Sequence, residues 1–212
     1  MARRGKFHWF DRFDPKRSAL VVIDMQNTFC EPGSPAEVAE SRSIADPLNG
    51  FSRRLRELGV PVIWVLHANL LHADGTTDWN LFFDNIVANS IKGEHSKSVA
   101  PGAQAVWRDL EQSPGDITIV KNRYSAFTNG SSSLDRVLRN LGIDTLFITG
   151  TKTNICCEST ARDAMMMDYK TVMVSDCCAA LSDDEHLATL ETFIQQFGDV
   201  MDSDMIIDRL QS

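Results

Sequence analysis

The sequence contains no run of about 18 apolar residues, the length a helix needs to cross a bilayer, so no membrane span is expected. Its first ten residues lack the apolar core of a secretion signal, which makes the cytoplasm the expected compartment. Low-complexity tracts and internal repeats are absent, which removes disordered and solenoid architectures. Positive charge is in short supply: 21 Lys and Arg stand against 29 Asp and Glu, a net charge of −8. Outside the Met-Ala-Arg-Arg-Gly-Lys start, which reads as a solvated tail, the basic residues are scattered, so no nucleic-acid surface is expected. The five cysteines, Cys30, Cys156, Cys157, Cys177 and Cys178, are odd in number and show no Cys-x-x-Cys spacing. A chain of 212 residues can bury a core without disulfide staples, so free thiols are expected. A redox or metal-binding thiol protein built on the adjacent pairs Cys156-Cys157 and Cys177-Cys178 would lack the spacing such sites use.

What is present reads as one α/β domain over residues 18–212, preceded by an N-terminal tail over 1–17. Ser18 to Ile23, Val60 to Leu66, Ile117 to Val120, Asp144 to Thr149 and Thr171 to Ser175 are β-rich apolar runs, as expected of strands buried on both faces. Between them Leu48, Phe51, Leu55 and Leu58 keep helical spacing up to Gly59, and Leu134, Val137, Leu138 and Leu141 do so up to Gly142. Ser182-Asp-Asp-Glu185 is a capping box that opens a helix through Leu187, Leu190 and Ile194. This alternation predicts a mostly parallel sheet with helices on both faces, whose ligand crevice lies outside the carboxyl ends of the strands.

Three chemically capable residues stand just past strand ends: Asp24, Lys121 and, across a tight turn, Cys156. Parallel strands would bring them to one edge. Cys156 is expected in the first turn of a helix, where unpaired N–H groups and the helix dipole lower a thiol pKa and can bind an oxyanion. A thiol with a carboxylate as general base and an ammonium to hold that carboxylate is a workable amide-cleaving set that needs no metal or cofactor. Taken singly, each has a plainer reading: a turn aspartate, a solvated lysine, a small buried cysteine. Cys157 fits that last description.

The segments Ala-Leu-Val-Val-Ile-Asp24-Met-Gln-Asn, Val-Lys121-Asn-Arg-Tyr-Ser-Ala-Phe and Thr-Gly-Thr-Lys-Thr-Asn-Ile-Cys156-Cys-Glu-Ser-Thr resemble, in this order, the isochorismatase-like cysteine hydrolase superfamily. The resemblance implies a three-layer fold on a six-stranded parallel sheet. It also implies an Asp24, Lys121, Cys156 triad, with Cys156 rather than Cys157 as nucleophile. A cis peptide at Thr151–Lys152 would help aim the N–H groups of an oxyanion hole around Thr151, Lys152 and Cys156. The activity implied is cleavage of the C–N bond of a small linear amide through a Cys thioester. The stretch after Lys121 resembles ureide hydrolases, which points to a ureide or carbamoyl substrate and to Tyr124 and Phe127 as pocket walls. Phe29 and Trp79 are candidate further walls, and Gln196 is a candidate hydrogen-bonding partner for the ureide.

One departure bears on the alternatives. Nicotinamidases of this superfamily carry an Asp-x-His metal cluster after the second strand, and His67, His72 and Asp74 do not reproduce its spacing, so no metal site is expected. The alternatives are hydrolysis of another carboxamide, nicotinamide included, or a silent binding protein on the same fold. Relatives are often dimers or tetramers, so the resemblance also implies a homo-oligomer.

Overall fold

A computed structural model describes residues 5–34, 36–70, 72–86 and 104–212. Within them β1 (Ser18–Ile23), β2 (Val62–His67), β3 (Ile117–Lys121), β4 (Thr145–Thr151), β5 (Lys170–Ala179) and β6 (Asp199–Met201) form one sheet in the order β3-β2-β1-β4-β5-β6. Every neighbouring pair is parallel. The helices are α1 (Asn27–Cys30), α2 (Ala45–Glu57), α3 (Asn80–Asn85), α4 (Leu134–Asn140), α5 (Glu158–Met166), α6 (Asp183–Gln196) and α7 (Ser203–Gln211). The three-layer α/β architecture is therefore the one expected, with a sixth strand, β6, of three residues that is too short to show a period.

Side chains of β1 alternate between two cores. Leu20 and Val22 face the core shared with Leu48, Phe51 and Leu55 of α2 and Ile206, Ile207 and Leu210 of α7. Ala19, Val21 and Ile23 face Leu134 and Leu138 of α4, Ala161 and Ala164 of α5, and Leu190 and Phe193 of α6. Burial on both faces is why this strand reads as an unbroken apolar run.

The helix stops act as the sequence predicts. Gly59 takes φ +77° and Gly142 φ +71°, left-handed positions that close α2 and α4. Ser182 accepts from the Glu185 N–H at 3.3 Å at the start of α6. Val60 is not part of β2, because its N–H is spent on Leu55 O (2.9 Å) in the turn closing α2. Gly150 (φ +109°) lies where β4 passes the Ile23 backbone so closely that an added Cβ would overlap the Ile23 carbonyl. A register shift between Ile148 and Gly150 lets β5 run on to Ala179, past the Ser175 expected.

The segment ahead of β1, expected to be a tail, is laid against the domain instead. Phe13 is buried in the core and its N–H bonds Arg209 O at 3.0 Å, while the N–H groups of Trp9 and Phe10 both donate to Asp199 Oδ2 at 2.7 and 2.9 Å. Met1 to Arg4 of the basic start lie outside the described residues. Among the described residues no helix is long and apolar enough to cross a membrane.

Candidate active site

Because all six strands run the same way, Asp24, His67, Lys121 and Thr151 meet at one edge, at or just past the carboxyl ends of β1, β2, β3 and β4. Asp24 turns the chain sharply out of β1. Its φ of +54° is left-handed, a conformation aspartate tolerates better than bulkier residues, and its N–H still bonds Val65 O at 2.9 Å. Gln26 then clamps the end of β2: its Oε1 accepts from the His67 N–H (2.6 Å) and its Nε2 donates to His67 O (3.1 Å).

Lys121 stands on β3, two strands from β1, a gap of about 10 Å that only a long side chain can bridge. Fully buried, it crosses above His67, its register partner on β2. Its ammonium donates to Asp24 Oδ2 (2.9 Å), Arg123 O (3.1 Å) and His67 Nδ1 (3.2 Å). Burial alone would lower the Lys121 pKa, but the Asp24 carboxylate beside it raises it above the ordinary value, so the group stays an ammonium. Burial and the Lys121 charge push His67 down to about 4, so its ring is neutral near pH 7.

Cys156 does not open α5 as expected. A π turn over Thr153–Cys157 precedes that helix, following the cis peptide between Thr151 and Lys152. Lys152 O accepts from the N–H of Ile155 (3.1 Å) and of Cys157 (3.2 Å), two bonds that straddle Cys156. The turn is pinned to the start of α6 by Thr153 Oγ1 with His186 Nδ1 (2.9 Å) and Asn154 Nδ2 with Glu185 Oε2 (3.2 Å). The Cys156 thiol interacts with both Asp24 and Lys121. Its pKa is raised, not lowered: burial removes the water that would solvate a thiolate, and the Asp24 charge adds to this, while Lys121 offsets only part. The resting nucleophile candidate is thus a protonated thiol beside a carboxylate. Asp24 Oδ1 is buried with no well-formed hydrogen bond of its own. Cys157 points the other way, its thiol toward Thr149 O (3.6 Å) in the core.

Three of the aromatic residues expected to line the pocket gather around His67. Phe29 meets its ring edge-on at 6.5 Å and Trp79 lies 6.4 Å from it, while Tyr124 packs edge-on against Trp79 at 5.0 Å. Burial and the nearby Cys156 raise the Tyr124 pKa, which puts the phenol in the same site. The other two expected residues make different contacts. Phe127 packs on Tyr169 at 5.5 Å, against the same apolar cluster that holds Cys156 and borders Tyr124. Gln196 is exposed at the last residue of α6, about 16 Å along the helix from Glu185 and toward the amino edge of the sheet. The turn after Lys121 and the direction of α6, not distance along the chain, decide both placements.

Residues the sequence reading passed over complete the site. Asn69 and Asp78 lie behind His67, and Asn122 and Arg123 follow Lys121. Phe82 stacks on Trp79 at 4.5 Å and the Arg123 guanidinium lies over the same ring at 4.9 Å. Only the proximity of 122 and 123 to Lys121 could have flagged them. Among the described residues no group of three His, Cys, Asp or Glu is arranged to hold a metal ion. His72 and Asp74 sit in an exposed turn, where Asp74 Oδ1 accepts from the Thr76 N–H and hydroxyl at 3.0 and 2.7 Å.

Comparison with known proteins places this site in context. The isochorismatase domain profile matches residues 18–205. A cysteine hydrolase from Pseudomonas syringae pv. phaseolicola 1448A superposes with a TM-score of 0.83 at 29% identity, over 94% of this chain and 95% of that one. An isochorismatase family protein from Desulfovibrio vulgaris subsp. vulgaris str. Hildenborough gives 0.77 at 27% identity, over 92% and 99%. The N-carbamoylsarcosine amidase from Thermoplasma acidophilum gives 0.70 at 27% identity, over 89% and 97%.

Proposed function

The chain belongs to the isochorismatase family, as a hydrolase of the cysteine type, and we propose that it cleaves the C–N bond of a small linear amide, a ureide or carbamoyl compound, through a thioester on Cys156. The observation that carries this reading is the burial, at the carboxyl edge of the sheet, of a carboxylate and an ammonium bonded at 2.9 Å with a buried thiol whose pKa both of them move. The amidase relative from Thermoplasma acidophilum, whose name records a carbamoyl substrate, supports the choice of bond.

In the proposed cycle Asp24 Oδ1 takes the thiol proton as Sγ attacks the carbonyl carbon. The Cys156 N–H, outside the pair of bonds made to Lys152 O, is the first donor in reach of the oxyanion, with the Thr151–Lys152 turn beside it. Collapse breaks the C–N bond, and Asp24 returns its proton to the departing nitrogen, leaving a thioester. Water then attacks with Asp24 again as base, and the acid leaves as Sγ is reprotonated. Lys121, bonded to Asp24 Oδ2 at 2.9 Å, holds that carboxyl in place throughout. Phe29, Trp79 and Tyr124 form apolar walls suited to a small planar group.

Ammonia or amine release from biuret, ureidoacrylate analogues, N-carbamoyl amino acids and nicotinamide tests the reading. Turnover is expected on a ureide or carbamoyl compound, lost in Cys156→Ala and largely kept in Cys157→Ala. Turnover of nicotinamide alone, removed by a chelator and restored by zinc or iron, would replace it with a metal-assisted carboxamide hydrolase. Equal loss in the two cysteine variants would unseat Cys156.

A further inference from the structure

The hydrogen bonds behind Lys121 run in one direction that chemistry dictates. Asp78 accepts from Asn69 Nδ2 at 2.8 Å and from Asn122 Nδ2 at 2.8 Å, one on each oxygen, and its Oδ1 also takes the Leu70 N–H at 3.1 Å. A carboxylate can only accept, so Asn69 must turn its NH2 toward Asp78, where it also reaches Asn122 O at 3.2 Å. Its carbonyl oxygen is thereby left facing His67 Nε2, 2.6 Å away. An amide oxygen cannot donate, so Nε2 must carry the ring proton and Nδ1 must be the bare, accepting nitrogen. That nitrogen faces the Lys121 ammonium at 3.2 Å, while Asp24 Oδ2 and Arg123 O take two further N–H bonds of the same group. The opposite tautomer would aim an N–H at an ammonium and push it from Asp24.

We propose that Asn69 and Asp78 are positioning residues that lock His67 in its Nε2–H tautomer and, through it, hold the Lys121 ammonium on Asp24 and beside Cys156. Neither touches the reacting atoms. They act as a relay of orientation from the loop after β2 to the lysine, and the burial of Asn69 keeps water from substituting for either partner. The proposal rests on the roles given above to Asp24, Lys121 and Cys156. The negative pole at Asp78 is itself anchored, since its backbone carbonyl accepts from Arg123 Nη2 at 2.8 Å.

Nitrogen NMR of the full chain labelled in its histidines, with His67→Gln to assign the ring, reads the tautomer directly. The wild type is expected to show a pyridine-like Nδ1 and a pyrrole-like Nε2 at pH 7. In Asp78→Asn the new amide can donate, Asn69 is free to turn over, and the His67 signals should move toward a tautomer mixture. Alkylation of Cys156 by iodoacetamide should slow about tenfold in the same variant, as expected when a supporting hydrogen-bond partner is lost, and Asp78→Glu should recover most of it. If Asp78→Asn does not fold, Asn69→Ala breaks the same link and carries the same two expectations. A protonated Nδ1 in the wild type would overturn the proposal. Slower alkylation with unmoved His67 signals would also overturn it, because the two residues would then serve only the loop. The spectrum requires no substrate, so failure of every amide to turn over would sink the proposed function while this result stood on its own.

Discussion

Cys156 carries a proton at rest because burial and the Asp24 charge together outweigh Lys121, and this separates the roles of its two neighbours. Neutralising the carboxylate should make the thiol easier to ionise yet stop its use. Asp24→Asn is expected to shift the Cys156 thiolate absorbance titration, taken as the difference from Cys156→Ser, to lower pH while slowing amide turnover at least ~10²-fold. Lys121→Met should shift the same titration upward. Opposite signs would assign the charges wrongly. His67 gives a stability signature. Its folded pKa is depressed to about 4 from 6.5, so above 6.5 both states are neutral and nothing is lost. As pH falls below 6.5 the unfolded chain takes up a proton that the folded one refuses, which costs on the order of 3 kcal/mol of stability by pH 4. Urea unfolding of wild type and His67→Gln at pH 7, 5 and 4 isolates this from the carboxylates, since only the histidine contribution should vanish in the variant.

Elements decide which residues a motif can reach. Asp24, Lys121 and Cys156 were legible because each stands at or just past the carboxyl end of an apolar run, although β3, at the sheet edge and with Val120 exposed, is not buried on both faces as its composition suggests. Asn69 and Asp78 were not legible, for the segment after His67 has no period and its hydrogen bonds are set by how the loop folds back. Gln196 shows the converse: a motif resemblance says nothing of the end at which a helix finishes. The helical turn at Cys156 was foreseen, but its π form and its enclosure were not, and enclosure reverses the sign of the thiol shift. Where β1 and β4 pair at Ile23 and Gly150 only a glycine fits, since a Cβ on Gly150 would meet the Ile23 carbonyl and φ is +109°. Gly150→Ala is expected to cost at least about 3 kcal/mol in urea unfolding, at the upper end of single-site effects. A loss under 1 kcal/mol would mean the two strands can part there.

At the scale of the whole molecule, the segment before β1 ties the start of the described chain to its last strand and helix. Removing residues through Phe13 takes away one buried ring and two N–H donors to Asp199, so a loss of about 2–3 kcal/mol, seen as a lower Tm, is expected with little change in the Cys156 titration. An unchanged Tm would return that segment to the status of a tail. Alternating strand and helix periods determined the parallel α/β sheet and the edge at which chemistry gathers, because burial on two faces and the 3.6-residue repeat are written in local composition. Six strands, the family and the choice of Cys156 came through motif resemblance. Protonation of the thiol, the tautomer of His67 and the relay through Asn69 and Asp78 were decided by the tertiary structure alone. Desolvation and hydrogen-bond direction depend on which atoms face one another across strands far apart in sequence, and no local pattern encodes that.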